Sequence, residues 1–213
     1  MYKYILFDLD GTLTNPEEGI TKCVQYALKK FGINADTDSL RCYIGPPLHW
    51  SFTHFHGIEP KDAKRAVDFY RERYAHIGIF ENMLIDGFEK TLKTLNEKGH
   101  ILAVATSKPT VFAKKILEKY NIIQYFDVVV GSELDGTRTE KDQVIEYTLK
   151  CLGVTDTDSV IMVGDRKYDV EGAAKFGIPT IGVTFGFAED GELEKAGAKY
   201  IATCPEDIIR ITS

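Results

Sequence analysis

Short apolar runs and longer amphipathic stretches divide this chain into two kinds of sequence. The run Tyr4-Ile5-Leu6-Phe7 stops at Asp8-Leu9-Asp10-Gly11-Thr12. An apolar run that short, ended by a turn former, predicts a buried strand. From Asn15 the period changes, and Ile20, Cys23, Val24, Ala27, Leu28 and Phe31 recur at helical spacing. Asn15 is the expected cap of that helix, Pro16 its first residue and Glu18 the residue that reaches back. Gly32 is expected to close it. After a turn at Gly45-Pro46-Pro47 a short helix is predicted over 48–55, and Ala63, Ala66, Val67, Tyr70 and Tyr74 mark another. Residues 15–85 therefore read as all-helical.

From Gly87 helices and strands alternate. Helices are predicted over 88–98, 110–120, 141–151, 168–176, 193–196 and 206–210, and strands over 101–105, 128–130, 160–163, 180–183 and 200–202. Strands alternating with helices imply right-handed crossovers and a parallel sheet. Strands that are near-continuously apolar suit a sheet covered on both faces. The predicted fold class is α/β: a Rossmann-like parallel-sheet core from residues 1–14 and 86–213, with an inserted all-helical cap domain at 15–85.

Composition narrows the function classes. The chain has 213 residues, 44% hydrophobic and 27% charged, enough to bury a proper core. A net charge of -6 argues against a nucleic-acid polymer as partner. It also means that phosphate binding needs a metal or a few well-placed cations. No apolar run approaches the roughly 20 residues of a membrane span, so no membrane partner is expected. Asp8 interrupts what would otherwise resemble a secretory leader. The four cysteines, Cys23, Cys42, Cys151 and Cys204, are scattered, which suggests neither a zinc site nor a disulfide framework. A reducing cytoplasm is the expected location.

Candidate chemistry collects at the C-terminal ends of the predicted strands, where open parallel sheets bind ligands. Asp8 and Asp10 end the first strand and share one side if the extended geometry persists. Paired acids of this kind divide labour between nucleophile or metal ligand and general acid–base, although Asp, Gly and Thr are also ordinary turn residues. Thr106 and Ser107 precede Lys108-Pro109 and a helix. Hydroxyls with helix N-terminal N–H groups suit a phosphate, or simply cap the helix. Lys141 opens a helix, where a cation opposes the dipole, a local conflict that hints at function unless the lysine is merely solvated. Asp165 and Asp169 follow the strand at 160–163, with helix capping as the plain alternative. Four carboxylates this close repel one another unless a cation sits among them. An all-oxygen set without His or Cys favours a hard cation, most simply magnesium.

This arrangement resembles the haloacid-dehalogenase superfamily, specifically its phosphoglycolate-phosphatase-like branch with a helical cap. The DxDGT motif is Asp8-Leu9-Asp10-Gly11-Thr12, the second-motif hydroxyl is Thr106, the lysine is Lys141 and the GDxxxD motif runs from Gly164-Asp165 to Asp169. Gly45-Pro46-Pro47-Leu48 and Gly164-Asp165-Arg166 are similar to that branch. Asp142 stands where many relatives carry Pro after the lysine, and Arg166 where many carry Ser.

The resemblance implies a magnesium-dependent phosphomonoesterase that acts on a small phosphorylated metabolite through an aspartyl-phosphate. A 5′-nucleotidase, a pyrophosphatase and a β-phosphoglucomutase-like phosphomutase are the alternatives. Asp8 would be the nucleophile, Asp10 the acid–base and Lys141 the neutralising cation. The metal would be held by Asp8, the Asp10 main-chain carbonyl and Asp165, with Asp169 orienting them. Gly11, Thr106, Ser107 and Lys108 would line the phosphate. Arg41 of the cap is a further candidate for an anionic substrate group. Asp10 also separates phosphoryl transfer from dehalogenation, because a departing halide needs no proton. His49, His54 and His56 match no zinc spacing. Tyr43, Trp50, Phe52 and Phe55 either stack on a substrate base or pack the cap core. A monomer or homodimer is expected.

Overall fold

The computed structural model describes residues 2–213. The chain divides into two compact units, one running up to Asn15 and again from Leu84 onward, the other spanning Pro16–Met83.

The larger unit holds a six-stranded sheet. It comprises β1 (Tyr4–Phe7), β4 (Ile101–Pro109), β5 (Val128–Ser132), β6 (Val160–Gly164), β7 (Thr180–Val183) and β8 (Tyr200–Ala202). The spatial order is β5-β4-β1-β6-β7-β8, with every neighbouring pair parallel. The chain builds outward from β1 through β4 to β5, then crosses back and builds through β6 to β8. The direction therefore reverses between β1 and β6, and the crevice beyond their C-terminal ends is where a sheet of this order takes its ligand.

Side-chain alternation assigns the two faces. Leu6, Ala103, Ala105, Val130, Val160 and Met162 form one buried cluster with Val144, Ile145 and Leu149 of helix α6 (Lys141–Leu152) and Ala173 of α7 (Lys167–Ala174). On the other face Phe7 meets Phe88 of helix α4 (Phe88–Glu97) edge-on, with ring centroids 6.3 Å apart. Each such side chain taken fully out of water is worth about 1.5–3 kcal/mol. Helices α5 (Thr110–Lys119), α8 (Glu192–Ala196) and α9 (Pro205–Thr212) complete this unit.

The smaller unit is helical: α1 (Glu17–Lys29), α2 (Leu48–His56) and α3 (Pro60–Tyr74), with short 3-10 turns at Thr37–Tyr43 and Gly78–Phe80. Where the chain leaves and re-enters the larger unit, β2 (Thr14–Asn15) and β3 (Met83–Leu84) form a two-stranded sheet. Asn15 is therefore a strand residue and not a helix cap; Pro16 takes the cap position of α1. The second departure from the predicted elements is β4, which runs on past Ala105 to Pro109 with a register irregularity between those two residues.

Candidate active site

The ladder of β1 continues for one residue, because the Asp8 N–H donates to the Val163 carbonyl at 2.9 Å. Asp8 therefore follows Leu6 onto the face that carries α6. Its Oδ1 accepts from Lys141 Nζ at 2.6 Å. The same ammonium lies 2.8 Å from Asp169 Oδ1 and donates to the Ala105 carbonyl at 3.2 Å. Lys141 opens α6 at the positive end of the helix dipole, and two carboxylates compensate it there. All three charged groups are buried. Burial alone would drive the Lys141 proton off, but the attraction of Asp169 and Asp8 outweighs it and holds Lys141 well above its ordinary value. It stays a cation.

After Asp8 the chain turns sharply. The Leu9 carbonyl accepts from the N–H groups of Thr12, Leu13 and Thr14 at 3.3, 2.9 and 3.0 Å. Gly11 takes φ +85°, and a Cβ there would lie 2.1 Å from Asp165 Oδ2. The glycine thus serves both the left-handed turn and the close approach of Asp165. Its N–H donates to the Thr14 carbonyl at 2.7 Å.

At the tip of β6 Asp165 is fully buried. Its Oδ2 accepts from the Phe187 N–H at 2.8 Å, while Oδ1 has no hydrogen-bond partner among the described residues. Asp169 occupies the first turn of α7 and its Oδ2 accepts from the Arg166 N–H at 3.1 Å. A Cβ at Gly164 would sit 2.2 Å from Asp169 Cγ, which explains the glycine that opens the GDxxxD motif. Ligand oxygens of Asp8, Asp165 and Asp169 all lie within 4.8 Å of one another. Burial first, then repulsion from Asp169 and Asp8, pushes the Asp165 carboxyl well above the usual carboxylate range. Packed carboxylates with a buried, unpartnered oxygen fit a hard divalent cation, which would satisfy that oxygen and relieve the repulsion.

β4 delivers the hydroxyl and a second lysine. Thr106 is buried and its Oγ1 accepts from the Lys108 N–H at 3.2 Å, so it does not cap α5. Ser107 faces solvent, and its carbonyl accepts from the Ser132 hydroxyl at 2.7 Å. The buried Lys108 ammonium, expected on the phosphate, forms an ion pair with the half-buried Asp10 carboxylate. Burial raises the Asp10 carboxyl above its ordinary value against the opposing pull of Lys108. A carboxyl held above its ordinary value is suited to holding and returning a proton.

The sequence reading missed Phe187, since its contribution is a backbone N–H, which any residue supplies. Arg41 belongs to the helical unit, where Glu17 engages its guanidinium at 3.0 Å. The histidines lie in or beside α2. His56 Nδ1 is 2.8 Å from the Tyr43 hydroxyl, the His54 ring stacks on Trp50 at 4.2 Å, and the His49 carbonyl accepts from Thr53 Oγ1 at 3.4 Å. The aromatic group separates: Tyr43 and Phe52 are buried in the helical unit, while Trp50 and Phe55 are exposed.

A sheet whose direction reverses beside a nucleophile-like aspartate, a buried lysine and an acidic triad defines a phosphoryl-transfer class of α/β enzyme. The chain belongs to the haloacid dehalogenase-like hydrolases, whose family model matches residues 5–183, and its relatives and structural neighbours make it a phosphatase of that family. A 5′-nucleotidase of Pseudomonas aeruginosa is 45% identical over 193 residues, 90% of this chain and 87% of that protein. The tyrosine-protein kinase PtkA of Mycobacterium tuberculosis is 36% identical over 92% of this chain and 67% of its own length. The crystal structure of a predicted phosphatase from Clostridium acetobutylicum superposes with a TM-score of 0.94 at 47% identity, covering 99% of this chain and 98% of that one.

Proposed function

We propose that this chain is a magnesium-dependent phosphomonoesterase working through an aspartyl-phosphate on Asp8, with nucleoside 5′-monophosphates as its first candidate substrates. The observation that carries the reading is the buried contact of Asp8 with Lys141 beside the oxygens of Asp165 and Asp169. The nucleotide class is supported by the 45% identical relative named 5′-nucleotidase.

Asp8, Asp165 and the Asp10 main-chain carbonyl would hold the ion, with Asp169 orienting this shell. A bound magnesium ion supplies charge neutralisation for the phosphoryl oxygens. Asp8 attacks phosphorus in line, so that a carboxylate O–P bond forms as the ester O–P bond breaks. Asp10 gives its proton to the departing alkoxide. Water then attacks the aspartyl-phosphate, Asp10 takes a proton from that water, and phosphate leaves with the Asp8 carboxylate restored. Lys141 neutralises Asp8 and the oxygens of the transferring group. Lys108 holds the Asp10 carboxylate in place, and Thr106 offers a hydroxyl to the phosphate.

A phosphate-release screen over nucleoside monophosphates, phosphoglycolate, pyrophosphate and sugar phosphates tests this. Release from nucleoside monophosphates, silenced by EDTA and restored by magnesium, is the expected result. No release from any ester in the presence of magnesium would contradict it. Release confined to phosphoglycolate or pyrophosphate would keep the mechanism and replace the substrate class.

A further inference from the structure

Asp165 is held by surprisingly little. Its single hydrogen-bonded oxygen depends on the Phe187 N–H, which lies in the loop between β7 and α8. Such a loop is a poor anchor unless something fixes it. Tight packing supplies part of the anchor: a Cβ at Gly186 would lie 2.3 Å from Asp165 Cβ and 2.4 Å from the Gly11 carbonyl. The rest comes from the first residue of α8. Glu192 Oε1 accepts from Arg166 Nε at 2.9 Å and from the Lys167 N–H at 2.8 Å. Its other oxygen accepts from the Glu189 N–H at 3.2 Å. The Arg166 and Glu192 side chains are only 16% and 9% exposed, so this pair is not screened as a surface pair would be.

These contacts close a ring. Asp165 is followed by Arg166 and Lys167, both of which are tied to Glu192. Glu192 pins the loop that carries Phe187, and Phe187 returns to Asp165. Burial opposes ionisation of Glu192, but the Arg166 guanidinium and the backbone N–H groups prevail and hold its carboxyl below the ordinary value. The carboxylate is therefore charged while it makes all these bonds.

We propose that Glu192 is a positioning residue for the divalent-cation site, fixing the Asp165 carboxylate through Arg166, Lys167 and the Phe187 loop. The inference rests on the metal-dependent reading above and goes beyond the residues that touch the ion. Supporting partners of this kind are worth about 10–100-fold in metal affinity.

The test is magnesium binding to the full chain by isothermal titration calorimetry, without substrate, for wild type, Glu192→Ala and Glu192→Gln. Melting in EDTA is recorded alongside. The expected result is a magnesium dissociation constant about tenfold higher or more in Glu192→Ala. Glu192→Gln, which keeps an acceptor for the backbone N–H groups, should shift it less. A folded Glu192→Ala that melts earlier but binds magnesium as wild type does would overturn the proposal, because that is the signature of a merely structural contact. If Glu192→Ala does not fold, Glu192→Gln decides: a raised constant supports the proposal and an unchanged one overturns it. Wild type that binds no magnesium would instead bring down the metal-dependent reading, and this inference with it.

Discussion

The rim of the sheet and the helical unit are built from similar charged and aromatic residues put to opposite use. At the rim, Asp8, Asp165, Asp169 and Lys141 are buried and locked together at 2.6–2.8 Å where the lysine meets Asp8 and Asp169. In the helical unit, Arg41 and Glu17 pair in the open, with Arg41 60% exposed, and Trp50 and Phe55 face solvent. Buried charges without full compensation cost stability, so their retention speaks for chemistry. Exposed pairs and rings cost little and can vary. On the proposed reading the reaction is written into the strand ends, whereas the exposed pairs and rings of the helical unit are free to change.

Substitutions at the rim should therefore act on kcat, and those in the helical unit on stability. The largest effect is expected for Asp10→Asn, which should lower kcat by about 10²–10⁴ without loss of fold; wild-type pH dependence in that variant would remove Asp10 from proton transfer. Lys108→Met should cost less, about 10–10² in kcat, by releasing the Asp10 carboxylate. If it raised KM alone, Lys108 would belong to the phosphate and not to Asp10.

Glu81→Gln probes the helical unit. Arg73 donates to Glu81 through two nitrogens at 2.6 and 2.9 Å, and this holds the Glu81 carboxyl below its ordinary value. Discounted for partial exposure, the loss should be about 1–2 kcal/mol at neutral pH. The sign follows from the depressed value. The stabilisation is complete above the unfolded carboxyl value of about 4.3 and fades as pH falls through the folded one. Denaturant titrations of variant and wild type should converge in acid; a pH-independent gap would mean that packing, not charge, was lost.

Asp165→Asn should do the reverse at the rim and stabilise the metal-free protein, read as a higher Tm in EDTA. A raised carboxyl costs stability above its unfolded value of about 3.9, so the gain should shrink as pH falls towards that value. The same variant should lose the stabilisation that magnesium gives wild type.

Most of this architecture was legible in the chain. The Tyr4-Ile5-Leu6-Phe7 run, the change of period at Asn15 and the return to alternation at Gly87 predict the parallel sheet and the helical block, because burial on two faces and on one stripe leaves different patterns. Lys141 announced itself by standing where a helix disfavours a cation. Lys108 did not. Its partner follows from β4 continuing through Thr106-Ser107-Lys108 in a buried–exposed–buried alternation. That period-two signal is hidden because Lys-Pro reads as the end of a strand. The contributions of Phe187 and Glu192 were illegible for another reason. One is a backbone N–H and the other an unremarkable surface-type residue, and only the closing of the loop onto Asp165 gives either a meaning.

The central claim is that the phosphoryl group passes through the Asp8 carboxylate. The direct measurement is rapid acid quench of the enzyme with substrate and magnesium, followed by borohydride reduction and peptide mass spectrometry. Reduction of an aspartyl-phosphate converts that aspartate to homoserine. The account predicts conversion at position 8, enriched in Asp10→Asn and absent from Asp8→Asn. Turnover with position 8 unmodified, or with the label on another residue, would contradict it.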